Sequence, residues 1–309
     1  MSRQLPINIE VPPHFLEEEV RDDFLITEKT KKVWAVELDL LNELLRVCKK
    51  HNIEVYAFAG TLLGAVRHKG FIPWDDDLDV CLTRDNFEKL LHVAKEEFKE
   101  PYFLQTGYND KKFFLGYARL RNSQTTGIIT WNKSAEYNNG IYVDVYVLDG
   151  LCENEKKKRF QHTVIKLITR FADAYNTSSK KIHALAVKNV LCKLVKYEYV
   201  LDLYHKVLKK YNNGAKRVSI LTHTQLSIVE RYSISREDLQ GSQCLPYEFI
   251  ALPVPKNYES ILENTYGDYM KFPPVEQRGE WHKGILIQDP DKSYIDFLKE
   301  EQDGNQETD

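Results

Sequence analysis

Ala59-Gly60-Thr61-Leu62-Leu63-Gly64, followed eight residues on by Ile72-Pro73-Trp74-Asp75-Asp76-Asp77-Leu78-Asp79-Val80, decides how this chain is read. Four carboxylates fill five positions between apolar flanks. Like charges about 4 Å apart repel by roughly 4 kcal/mol at an effective dielectric near 20. A solvated turn escapes that cost, and a strand entering a core does not. Asp77 to Leu82 alternates and predicts a strand, on which Asp77 and Asp79 share a face with Cα atoms about 6.6 Å apart. Such a pair suits a hard divalent cation, Mg²⁺ or Mn²⁺, bound by one or two carboxylates together with substrate phosphates. Asp75 and Asp76 would lie at the mouth of that site. The competing reading is an ordinary acidic turn.

The surroundings favour the site. Ile53 to Ala59 is apolar and β-rich, and predicts a buried strand ended by Gly60. Glycine there permits close backbone approach to a phosphate, and Thr61 to Arg67 predicts a short helix capped by Thr61, whose N-terminus favours an anion. Arg67-His68-Lys69 then supplies three cations. A further carboxylate, Asp144, interrupts the apolar run Ile141-Tyr142-Val143-Asp144-Val145-Tyr146. A lone acid in such a strand is costly, so it asks for a metal or for a structural arginine. Arg119 and Arg121 share one face of a strand candidate, Phe113 to Arg121, and either pair with the acids or clamp a phosphoryl group.

Further out, Trp34, Leu38, Leu41, Leu45 and Cys48 recur at three- and four-residue spacing and predict a helix over 30–51. Arg84 to Phe98 reads as a helix, and 127–131 and 141–148 as strands. This order suggests a mixed sheet with helices, spanning 30–150. Residues 151–245 read as a helical region with a stripe at Val187, Val190, Leu191 and Leu194. Residues 246–290 return to loops with a helix near Ile261 to Met270, and complete the site. The acidic tail 300–309 reads as unstructured. Between Lys180 and Arg217, ten basic residues face two acids. That excess reads either as a solvated helix face or as a surface for anionic polymer or lipid headgroups.

Composition sets outer limits. The 309 residues are 42% hydrophobic and 12% aromatic with net charge −3, which excludes a disordered chain and argues against a nucleic-acid binder. Five scattered cysteines without C-x-x-C argue against disulfides or structural zinc and fit a reducing cytosol. No signal peptide and no spanning segment is visible.

The run from Ala59 through Asp79 closely resembles the signature of the LicD family. The resemblance extends through Leu120-Arg121-Asn122-Ser123 and Ile141 to Gly150. It returns at Tyr266-Gly267-Asp268-Tyr269-Met270, Pro273-Pro274, Arg278 and His282, covering about 30–150 and 250–285. It implies an α+β, nucleotidyltransferase-like mixed sheet flanked by helices, with a helical insertion. In that pattern Gly60-Thr61 precedes the Asp77/Asp79 strand and Asp144 is the third carboxylate. It also implies transfer of phosphocholine, or a related phospho-alcohol, from a CDP-linked donor such as CDP-choline to a glycan acceptor, with distant similarity to fukutin-type enzymes. The acceptor would be lipid-linked, placing the protein in the cytoplasm at the inner face of the membrane, with 180–217 as contact surface.

Residue roles follow from the two readings together. Asp77, Asp79 and Asp144 would hold one or two Mg²⁺ ions. Asp144 or His282 would deprotonate the acceptor hydroxyl. Gly60, Thr61, Arg67, His68, Lys69, Trp74, Arg121 and Arg278 would bind the donor. A choline group would want aromatic faces, for which Trp74, Trp131, Tyr137, Tyr142, Tyr146 and Trp281 are near in sequence; glycerol or ribitol would want polar contacts. A nucleotidyltransferase acting on protein or RNA shares these acids. A metal-dependent glycosyltransferase would need a longer nucleotide-binding half before its Asp-x-Asp, and a binding module would not need all three carboxylates.

Overall fold

The computed structural model describes residues 5–111, 113–130, 137–176, 195–279 and 286–306. A small hairpin, β1 (Glu19–Arg21) and β2 (Phe24–Ile26), leads into α1 (Glu28–Lys50). Thr27 caps α1, its hydroxyl accepting the Thr30 N–H at 3.2 Å. The apolar stripe is buried as expected: Trp34, Leu38, Leu41 and Cys48 lie in the core, with Leu45 at its margin.

The predicted strand over 53–59 shrinks to β3 (Tyr56–Ala57), because α2 (Ala59–Arg67) starts two residues before the expected cap. Thr61 is therefore inside α2, and its hydroxyl serves a different donor, the Asp79 N–H at 2.7 Å. β4 (Asp79–Thr83) also begins later than predicted, so Asp77 stands in the extended lead-in rather than on the strand. α3 (Arg84–Glu97), β5 (Tyr102–Gln105), β6 (Ala118–Asn122), β7 (Thr126–Ile129) and β8 (Ile141–Leu151) follow. β5 had no counterpart in the sequence reading.

The strands assemble in the order β3-β4-β8-β6-β5, with β4 and β8 parallel and the other pairs antiparallel. The mixed sheet flanked by helices is thus as expected. Val80, Leu82, Val143, Val145, Ala118 and Leu120 alternate onto the face covered by α1 and are almost completely buried. Each large apolar side chain so buried contributes roughly 1.5–3 kcal/mol. The opposite face of the same strands carries polar side chains.

α4 (Glu155–Asn176) and α5 (Tyr197–Leu208) pack on each other around Ile165, Leu201, Tyr204 and Leu208, a second apolar cluster beside the main core. The region 151–245 is not helical throughout. β9 (Arg217–Ser219) pairs with the end of β8, and beyond α6 (Leu226–Arg231) β10 (Ile234–Ser235) pairs with β9. The stripe at 187–194 lies outside the described residues. A hairpin of β11 (Ser242–Tyr247) and β12 (Ile250–Pro255) precedes α7 (Tyr258–Tyr266). β13 (Leu286–Asp289) pairs with β7, and α8 (Tyr294–Gln306) follows. α8 is helical over 300–306, where an unstructured tail was expected. No described helix is long and apolar enough to cross a membrane.

Candidate active site

Register builds the site. Asp79 on β4 lies opposite Asp144 on β8, Asp144 opposite Arg119 on β6, and Arg119 opposite Gln105 on β5. Partners in register point to the same face, so this row crosses the polar face of the sheet. Arg119 Nε donates to Asp144 Oδ1 at 2.7 Å, which supplies the structural arginine that the sequence left open for Asp144. Asp79 is 9% exposed, and its Oδ1 has no hydrogen-bond partner. Burial, then the charges of Asp77, Asp144 and Asp75, push its carboxyl well above the ordinary range.

Asp75, Asp76 and Asp77 are partly exposed on the loop into β4. A Cβ at position 60 would stand 2.7 Å from Asp75 Oδ2, so glycine is what lets that carboxylate approach the first turn of α2. Gly64 admits the carbonyl of Gly70, which a Cβ would meet at 2.4 Å. The two glycines of the motif therefore fit the acidic loop onto α2.

Residues 52–176 match the family described as LicD/FKTN/FKRP, nucleotidyltransferase domain. The lipopolysaccharide cholinephosphotransferase LicD of Haemophilus influenzae is 28% identical over 257 residues, covering 79% of this chain and 92% of that protein. The chain carries a LicD-family domain. An uncharacterized protein of Rickettsia typhi is 32% identical over 130 residues, 39% of this chain and 38% of that one. An uncharacterized protein of Rickettsia prowazekii is 32% identical over 111 residues, 36% of this chain and 38% of its own length.

The LicD-family domain holds the acid row, yet residues outside 52–176 also reach it. The sequence reading missed Glu37 of α1. It is 1% exposed, its Oε2 has no partner, and burial, then Asp77, Asp76, Asp75 and Asp79, raise its pKa well above normal. An acid placed between Trp34 and Leu41 at helical spacing was the available signal. From the C-terminal side, Tyr247 feels Asp75, and Tyr266 feels Asp75 and Asp79.

Four of the expected cations, Arg67, His68, Arg121 and Arg278, have protein partners. Arg67 Nη1 donates to the Tyr269 carbonyl at 2.9 Å, and Arg278 donates to the carbonyls of Pro273 (2.9 Å) and Asp22 (3.2 Å). Arg278 also lies over Trp74 and Phe272, at 5.1 and 5.4 Å. His68 accepts from Arg67 Nε at 2.9 Å and so donates from Nδ1 to Asp22, 2.9 Å away; burial, then Arg67, lower its pKa. Lys69 is exposed. Arg121 is fully buried and donates to Gln105 Oε1 and the Gly140 carbonyl, both at 2.6 Å; burial, then Arg119, bring its pKa down to about 10. His282, Trp131 and Trp281 lie outside the described residues.

The acid row fits a hard cation in donor chemistry, since its oxygens are all carboxylate and Asp79 Oδ1 is buried and unpartnered. With Asp144 tied to Arg119, Asp77 and Asp79 are the pair that would hold Mg²⁺. Among the described residues, no three His, Cys, Asp or Glu side chains are already disposed around a common metal position.

Proposed function

We propose that this protein transfers phosphocholine from CDP-choline to a sugar hydroxyl of a cell-surface glycan, releasing CMP. What carries the reading is the in-register row Asp79–Asp144–Arg119 within the LicD-family domain, with one carboxylate oxygen buried and unsatisfied. The similarity to a lipopolysaccharide cholinephosphotransferase along nearly its whole length supports both the transferred group and a glycan acceptor, whether lipopolysaccharide, teichoic acid or capsule precursor.

In this reading Asp144 takes the proton of the acceptor hydroxyl, its carboxylate oriented by Arg119. Thr61 fixes the start of β4 and thereby the position of Asp79. Asp77 and Asp79 would hold a divalent cation, which when bound would supply charge neutralisation at the donor phosphates. Arg121 acts at one remove, tying β5 and the start of β8 through Gln105 and the Gly140 carbonyl. The protein works at the cytoplasmic face of the membrane, where the basic excess counted in the sequence over 180–217 would attract anionic lipid headgroups.

Donor screening with Mg²⁺ tests this directly. CMP release from CDP-choline is the expected outcome. Release only from CDP-glycerol or CDP-ribitol would replace the transferred group, and release from none would remove the transferase reading. The family description names a nucleotidyltransferase domain, so labelled nucleoside triphosphates belong in the same screen; label transfer to protein or RNA would favour that second activity.

A further inference from the structure

We infer that Tyr117, Tyr146 and Tyr232, joined from behind by the buried ring of Phe58, form the surface that recognises a quaternary ammonium on the donor. The inference rests on the phospho-alcohol transfer proposed above and assigns its specificity. The four rings make a continuous strip. Tyr117 and Tyr146 have centroids 4.8 Å apart, and Phe58 lies 5.6 Å from both Tyr146 and Tyr232. Tyr266 continues it, edge-on to Tyr232 at 6.4 Å.

The strip starts at the acid row. Tyr146 follows Asp144 by two residues on β8 and so shares its face, while the Phe58 N–H donates to the Asp79 carbonyl at 3.0 Å. Tyr117, Tyr146 and Tyr232 are partly exposed although they border the main core. Other rings near the motifs already carry cations: Arg119 and Arg121 lie over Tyr142 at 3.9 and 4.7 Å, Arg278 over Trp74, and Arg231 over Tyr266 at 5.6 Å. Among the described residues, no arginine or lysine lies over Tyr117, Tyr146 or Tyr232.

The chemistry selects the ligand. A trimethylammonium group has no N–H to donate and cannot be ligated by a carboxylate, but the negative face of an aromatic ring attracts it. A polyol would leave these ring faces unused. Of the aromatics that the sequence suggested for choline, Tyr146 alone belongs to the strip.

The test compares CDP-choline with CDP-ethanolamine, which keeps the charge and loses the three methyl groups. Calorimetric Kd values in Mg²⁺ are expected to favour CDP-choline about tenfold in the wild type, in line with a desolvated cation–π contact. Tyr232→Leu and Tyr146→Leu should abolish that ratio, and Tyr232→Phe and Tyr146→Phe should keep it. A structural role would weaken both donors equally and leave the ratio standing, which overturns the inference. Circular dichroism identifies a variant that fails to fold, in which case the other position decides. Tighter binding of CDP-ribitol than of CDP-choline by the wild type would overturn the strip while leaving phospho-alcohol transfer intact. Binding of no CDP-alcohol would defeat both.

Discussion

Two groups of charged residues border the motif, and they are built on opposite terms. In the cluster of Arg67, His68, Trp74, Phe272 and Arg278, donors reach carbonyls and cations lie over rings. In the acidic group, Asp79 Oδ1 and Glu37 Oε2 are buried with nothing to bond. Buried polar atoms are normally satisfied, so an unsatisfied one marks a place where stability has been given up. The comparison teaches that the basic cluster fastens the C-terminal segment to α2, whereas the acidic group keeps two carboxylate oxygens buried and unbonded.

The strongest way to break this contrast is Asp79→Asn. CMP release should fall by a factor on the order of 10³, while the melting temperature rises because a buried carboxylate among acids is gone. A near wild-type rate would end the metal assignment. Next comes Arg121→Met, which strands Gln105 and the Gly140 carbonyl inside the protein. Urea denaturation should show a loss of roughly 2–3 kcal/mol, and an unchanged midpoint would show that Arg121 is not a brace. Arg278→Ala should cost about 1 kcal/mol of stability and leave the donor KM within about twofold. A large KM increase instead would return Arg278 to the donor site.

The smallest effect sharpens the contrast by pH. Glu37 in the folded protein holds its proton above the ordinary value of 4.5, so the unfolded chain releases it first as pH rises. Folding stability therefore declines with pH above that value. Glu37→Gln removes this slope. In EDTA its melting temperature should match wild type near pH 4 and exceed it as pH rises above the ordinary carboxyl range; parallel curves would mean that Glu37 is not buried beside the acids.

The sequence made the acidic motif and α1 legible because each depends on local pattern, charge density in one case and helical spacing in the other. Asp144 was recognisable as an anomaly, but its partner was not. Pairing Asp144 with Arg119 requires the β6–β8 register, which joins positions 25 residues apart. The Thr61 cap failed because tertiary context gave its hydroxyl a better donor, the start of β4. The four-ring strip was out of reach for the same reason as the register: Phe58, Tyr117, Tyr146 and Tyr232 come from four separate stretches of chain.

β8 has one more consequence. Its last residues pair antiparallel with β9, Leu151 opposite Arg217, so the chain departs and returns at adjacent points about 5 Å apart. In topological terms everything from 152 to 216 is the loop of a single hairpin. That loop is tied back to the strand it leaves: Asn212 accepts from the Gly150 N–H and donates to Asp149, so the far end of the excursion helps hold the strand that carries Asp144.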